Sequence, residues 1–244
     1  GLHPWAVYAL VGLAMAWLQY NRNGRGLVSD MLQPVIGELH KGLLGHVVNI
    51  AAVVATAIGV ATTLGFGTIQ IAAGLERVLG ITATVGVQLA IIAVAFVLYM
   101  ASSTSGVERG IKWLSSANLV LAGLLMLTIL VFGPTGFILD TFTTTLGSYI
   151  NQLTVMSLRM SPFSNSTWAF DWTVFYWAWW IAWAPFVGAF IARVSRGRTV
   201  REFVVGVVLA PSLLGFVWFA VFGGAALQAQ IFGQVDLLQA LARG

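Results

Sequence analysis

Five of the ten tryptophans crowd into one short stretch, as Trp172, Trp177, Trp179, Trp180 and Trp183. Each indole carries a negative quadrupole on its faces, which attracts a cation at about 0.5–2 kcal/mol per contact; quaternary ammonium groups, which donate no hydrogen bond, are the usual ligand of several such faces together. Trp180 and Trp183 stand at i and i+3, and Trp179 and Trp183 at i and i+4, so on a helix the three converge on one face. An interfacial aromatic belt is enough to explain Trp172 and Trp177. It does not reach Trp183, which a rise of 1.5 Å per residue carries roughly 15 Å into a span, near the middle of a bilayer.

The charged inventory agrees with a cage that needs no carboxylate. Of the eight Asp and Glu, only Asp171 lies close to the tryptophans, at a span end; buried free cations more often have an acidic partner. The chain has no Cys, so disulfides and thiolate-bound metals are excluded. His3, His40 and His46 are scattered, and no HExxH pair, GxSxG elbow or Walker-type glycine loop is present, so an enzyme is not expected. No cofactor is expected either. The 12 basic residues are spread between apolar stretches rather than gathered into a nucleic-acid-binding patch.

The elements that position these rings must cross a lipid bilayer. Hydrophobic residues make up 59% of the 244 and charged residues 8%, against roughly 25% charged in soluble domains. Windows of about 20 residues place six spans at about 4–20, 46–64, 83–103, 113–133, 172–192 and 203–223. Helix is the expected form, because each span must satisfy its own backbone and the alternation of a membrane barrel is absent. Arg22, Arg25, Lys41, Arg109, Lys112, Arg193, Arg196, Arg198 and Arg201 fall on one side of this arrangement, against Arg77, Arg159 and Arg243 on the other. The first group is therefore cytoplasmic and the N-terminus outside. The chain opens on a span without a starting Met, and a fragment of a longer protein is expected.

Residues 136–161 form neither a span nor a simple loop. A cluster of Thr141, Thr143, Thr144 and Thr145 offers caps, and Leu146, Tyr149, Ile150, Leu153, Val155 and Met156 recur at helical spacing. An amphipathic helix on the outer surface, or a short helical loop packed on the protein, fits that pattern. Gly59, Gly65 and Gly67 punctuate the second span, either as close packing contacts or as a break lining a site.

Several strings in order resemble the betaine/choline/carnitine transporter family. They are His3 to Tyr8 (HPWAVY), Gly106 to Ser115 (GVERGIKWLS), Thr173 to Gly188 (TVFYWAWWIAWAPFVG) and Arg193 to Phe203 (RVSRGRTVREF). The tryptophan-rich string followed by the basic loop is the most specific. The resemblance implies an all-α integral membrane protein with part of a leucine-transporter-like fold of two inverted five-helix repeats and the solute near the midplane. On that fold 1–135 is the end of the first repeat, 136–161 the connecting amphipathic helix and 162–244 the start of the second, together one transmembrane domain. It implies a multi-pass protein of the cell (inner) membrane, often trimeric.

By motif position the family's ammonium box corresponds to Trp5, Tyr8, Trp179, Trp180 and Trp183. Read without the resemblance, Trp5 and Tyr8 alone suit an outer aromatic belt. The expected cargo is glycine betaine, choline, carnitine or a similar solute, moved by a sodium or proton gradient or by exchange. Thr56 and Phe186 match positions that resemble a family sodium site, although Val60 lacks the hydroxyl that some sodium-coupled members carry one turn after the first. Asn118 stands where sodium-independent exchangers of the family look to place an Arg. Sodium symport is therefore the expectation. Two other functions stay open at this stage: an osmosensor or receptor that binds without translocating, and an inverted-repeat transporter of amino acids or nucleobases.

Overall fold

Backbone buried in hydrocarbon must bond within its own segment, and the described chain is almost wholly helical. The computed structural model describes residues 1–104, 107–160, 163 and 165–232. Helix α1 spans Leu2–Asn21, α2 Leu43–Leu79, α3 Val85–Thr104, α4 Val107–Phe132 and α5 Thr135–Ser157. Helix α6 spans Phe175–Val194 after a π-helical turn at Ala169–Val174. Helix α7 runs Val200–Ile231 and passes through a second π-helical turn at Val205–Leu209. Gly106, Arg243 and residues 161, 162 and 164, on which parts of the expected loops, family strings and charge count rest, lie outside the described residues.

Five of these helices are long and apolar enough to cross a membrane: α2, α3, α4, α6 with its leading turn, and α7. Helix α1 forms where the first span is expected, and its 20 residues reach about 30 Å. It is not among the five, because His3, Pro4, Gln19 and the rings of Trp5, Tyr8, Trp17 and Tyr20 dilute its aliphatic residues. The second span is much longer than expected, 37 residues without interruption. Gly59, Gly65 and Gly67 therefore lie inside a continuous helix, and the break considered for them does not occur. Thr68 Oγ1 closes onto the Leu64 carbonyl at 2.8 Å within it.

Of the segment 136–161, residues 136–157 are helical as expected. Its threonines do not cap, however: Thr143 donates to the Leu139 carbonyl at 2.9 Å and Thr145 to that of Thr141 at 2.6 Å, both inside α5. The helix starts instead at Thr135, directly after Pro134.

The chain divides into two compact units. One joins Gly1–Ala61 to Asn151–Phe216; the other joins Thr62–Ile150 to the residues from Val217 onward. In the second unit α3 packs on α4, and Gly224 of α7 faces Ile138 and Thr141 of α5. The first unit holds every candidate site residue. Its core is Ala9, Ile191 and Phe203, with Tyr8, Leu13, Val187, Val207 and Val208 packed around them. Helix α7 enters this core through a capping box: Glu202 N–H donates to Thr199 Oγ1 at 3.3 Å while Thr199 N–H donates to Glu202 Oε2 at 2.8 Å.

Between α1 and α2 the chain forms short helical turns over Val28–Leu32, Gln33–Ile36 and Gly37–Lys41. Asp30 is buried there, accepting from Leu27 N–H at 3.2 Å and from Arg25 at 3.3 Å, with His40 Nε2 at 3.9 Å. His40 Nδ1 lies 2.7 Å from the Gly37 carbonyl, so Nδ1 carries a proton. Ser29 and Asn49 exchange a reciprocal pair at 3.0 and 2.9 Å, tying these turns to the start of α2. On the surface Lys41, 2.8 Å from Glu38, holds that carboxyl below its usual range.

Candidate solute site of the aromatic helices

Helices α1 and α6 form the principal contact of the first unit. Their direction follows from two points of contact. The His3 ring stands edge-on to Trp177 with centroids 6.1 Å apart, and Gly12 lies against Gly188. Both contacts advance together along the two chains, so the helices run parallel. Parallel spans are what the charge count demands, since it starts both on the outer side. In that register Trp5 falls near the level of Trp179 and Trp180, and Tyr8 near that of Trp183.

The crossing is close because neither helix has a side chain there. A Cβ on Gly12 would lie 3.2 Å from the Gly188 carbonyl oxygen, and one on Gly188 would lie 2.7 Å from Val11 Cγ1 and 3.1 Å from Gly12 N. Small residues allow such approaches in membranes.

The rings themselves form a graded series. Trp172 and Trp177 are 52% and 38% exposed, whereas Trp179, Trp180 and Trp183 are half-buried. Tyr176 lies at the centre of the outer group. It stacks on Trp172 at 6.1 Å and 17°, on Trp179 at 6.0 Å and 21°, and meets Trp180 at 6.0 Å. Trp180 also receives the edge of Trp177 at 5.6 Å, and Trp179 that of Phe175 at 5.7 Å. Trp183 sits one turn deeper against Phe186 at 5.8 Å. On α1, Trp5 and Tyr8 meet edge to face at 5.7 Å and 83°. Tyr176 stands in the same string, but a pattern of tryptophans does not single it out.

At the outer end His3 joins three elements. Ser157 Oγ donates into its own helix at the Leu153 carbonyl, so the 2.9 Å contact with His3 Nε2 is an N–H donated by the histidine. The end of α5 is thereby tied to the start of α1, beside Trp177. At the other end of α1, Arg22 stacks over Trp17 at 4.9 Å and Arg196 over Tyr20 at 5.6 Å. Basic residues following both helices thus gather at one end, as the assignment of that end to the cytoplasm requires.

The two candidate ion ligands stand one turn from a shared contact. On α2, Gly59 abuts the Trp183 indole; Thr56 precedes Gly59 by three residues and Phe186 follows Trp183 by three. Thr56 Oγ1 donates to the Ala52 carbonyl at 2.8 Å, which leaves its lone pairs available. Helix α6 does not unwind at Phe186. The carbonyl that lacks its helical donor there is Ile181, because Pro185 has no N–H to offer it. Among the described residues no group of three or more His, Cys, Asp or Glu is placed to hold a metal.

Known sequences give this arrangement a context. The whole chain, residues 1–244, matches the family described as BCCT, betaine/carnitine/choline family transporter. It is 48% identical over 239 residues to the glycine betaine transporter OpuD of Bacillus subtilis (strain 168), covering 97% of this chain and 47% of that protein. It is 43% identical to the ectoine/hydroxyectoine transporter of Virgibacillus pantothenticus, over 99% of this chain and 48% of the relative. It is 41% identical to the high-affinity choline transport protein of Escherichia coli (strain K12), over 96% and 35% respectively. The chain thus spans about half or less of the length of these relatives. A match over every residue, with the ordered aromatic and basic strings inside it, shows that the chain belongs to the betaine/carnitine/choline transporter family, whose members are multi-pass membrane transporters rather than enzymes.

Proposed function

We propose that the complete protein is a secondary transporter of a small quaternary ammonium solute, held by the indole and phenol faces of α1 and α6. The observation that carries this reading is the run of packed rings along α6, in which Tyr176 stacks against Trp172 and Trp179 and the half-buried Trp180 and Trp183 follow. Such a surface attracts a methylated cation without forming a hydrogen bond to it. The parallel α1 supplies Trp5 and Tyr8 at matching levels. Relatives named for glycine betaine and choline support the same cargo, since both solutes carry a trimethylammonium group. A relative named for ectoine widens the class to compact cyclic zwitterions with a delocalised cation.

Sodium is the proposed coupling ion. On the charge-derived topology α2 and α6 run antiparallel, so Thr56 and Phe186 lie on the same, cytoplasmic side of the Gly59–Trp183 contact. The Thr56 hydroxyl oxygen is a suitable hard ligand. An inverted-repeat fold and a trimeric assembly belong to the same proposal.

Reconstituted full-length protein tests both parts. Trp180→Leu is expected to weaken glycine betaine uptake by the loss of at least one cation–π contact, about 0.5–2 kcal/mol. Replacing sodium by potassium is expected to abolish accumulation; uptake indifferent to that exchange rejects sodium coupling. Counterflow of preloaded solute is expected, and its absence would favour a receptor that binds without translocating.

A further inference from the structure

We infer that Gly59 is a positioning residue for the solute site, setting the orientation of Trp183 by withholding a side chain. A glycine in the interior of a helix is less stable than an alanine, and α2 carries several. Gly65, Gly67 and Gly74 face open space, with nothing within 4 Å of an added Cβ. Gly59 is different: it is buried, and a Cβ there would lie 2.9 Å from Trp183 Nε1, 3.0 Å from Cδ1 and 3.7 Å from Cε2. All three atoms belong to the five-membered ring of one indole. No backbone atom is struck, so the group that must yield to a methyl is the Trp183 side chain and not the packing of the helices.

A second observation explains why the indole would turn. Trp183 Nε1 is buried and has no hydrogen-bond partner among the described residues. Buried indole N–H groups are ordinarily anchored by a hydrogen bond. This one has instead the bare Cα of Gly59 and the Phe186 ring, at 5.8 Å and 78°, as neighbours. Removing the space at Gly59 rotates the ring and changes the face it presents. The inference rests on the reading of Trp183 as part of the solute cage.

The test is a double-mutant cycle in the full-length transporter, with glycine betaine as the probe and KM, maximal rate and melting temperature measured. Gly59→Ala is expected to raise KM about three- to tenfold, as for weakening one cation–π contact, with the maximal rate within about twofold. It is also expected to lower the melting temperature. In a Trp183→Ala background the three atoms nearest that methyl are gone. Gly59→Ala is then expected to change KM by less than about twofold and to raise the melting temperature through helix propensity. If Trp183→Ala abolishes transport, the KM of the single Gly59 variant and the coupling of melting temperatures decide the matter. A parental KM in Gly59→Ala, or an equal penalty in both backgrounds, overturns the inference. A parental KM in Trp183→Ala alone sinks the cage reading, recognisable because the melting temperatures would still be coupled.

Discussion

The carbonyl oxygen of Gly188 lies 3.2 Å from the point where a side chain on Gly12 would begin, so α1 and α6 meet backbone to backbone. Every aromatic residue assigned to the solute site lies on the outer side of this crossing. The separation of the two helices there sets how far Trp5 and Tyr8 stand from the tryptophans of α6.

Gly188→Ala is expected to destabilise the protein by about 1–3 kcal/mol, the usual cost of overpacking. The added methyl would press on Val11 Cγ1 at 2.7 Å and on Gly12 N at 3.1 Å. Thermal unfolding in detergent measures the loss. Adding Val11→Ala is expected to restore part of it, since the nearer obstacle is then gone.

Tyr176 makes four ring contacts within α6 and its leading turn, to Trp172, Phe175, Trp179 and Trp180. Tyr176→Leu is expected to cost about 0.5–1.5 kcal/mol of glycine betaine affinity for each ring pair whose geometry loosens. Tyr176→Phe keeps the stacking and is expected to bind as the parent does. Equilibrium binding to purified protein separates the two variants.

Buried Asp30 holds the turns between α1 and α2 through Leu27 N–H and Arg25. Asp30→Ala is expected to cost about 1–3 kcal/mol by leaving a donor unsatisfied, and to open residues 28–41 to protease. The exposed Glu38–Lys41 pair serves as the contrast, and Glu38→Ala is expected to leave the melting temperature unchanged.

The sequence carried the helices well, because bilayer length and apolar runs are local properties. The positive-inside count even anticipated the shared direction of α1 and α6. The capping box at Thr199 and Glu202 is equally readable as a Thr-x-x-Glu pattern within the basic loop. What stayed hidden depends on contacts between distant segments. Gly59 looks like Gly65 until Trp183 is placed against it. Asp30 and His40 sit in a loop whose charge suggests solvent, yet both are buried. The uninterrupted course of α2 past three glycines was also illegible, because close packing and a helix break give the same glycine pattern.

The central claim is that aromatic faces of α1 and α6 recognise positive charge and not merely shape. Its most direct test compares the affinity of the full-length protein for glycine betaine with that for 3,3-dimethylbutanoate, the same outline with carbon in place of the ammonium nitrogen. Betaine is predicted to bind at least about tenfold more tightly, with the gap shrinking in Trp179→Leu and Trp180→Leu. Equal affinities for the two solutes in the parent protein would contradict the account.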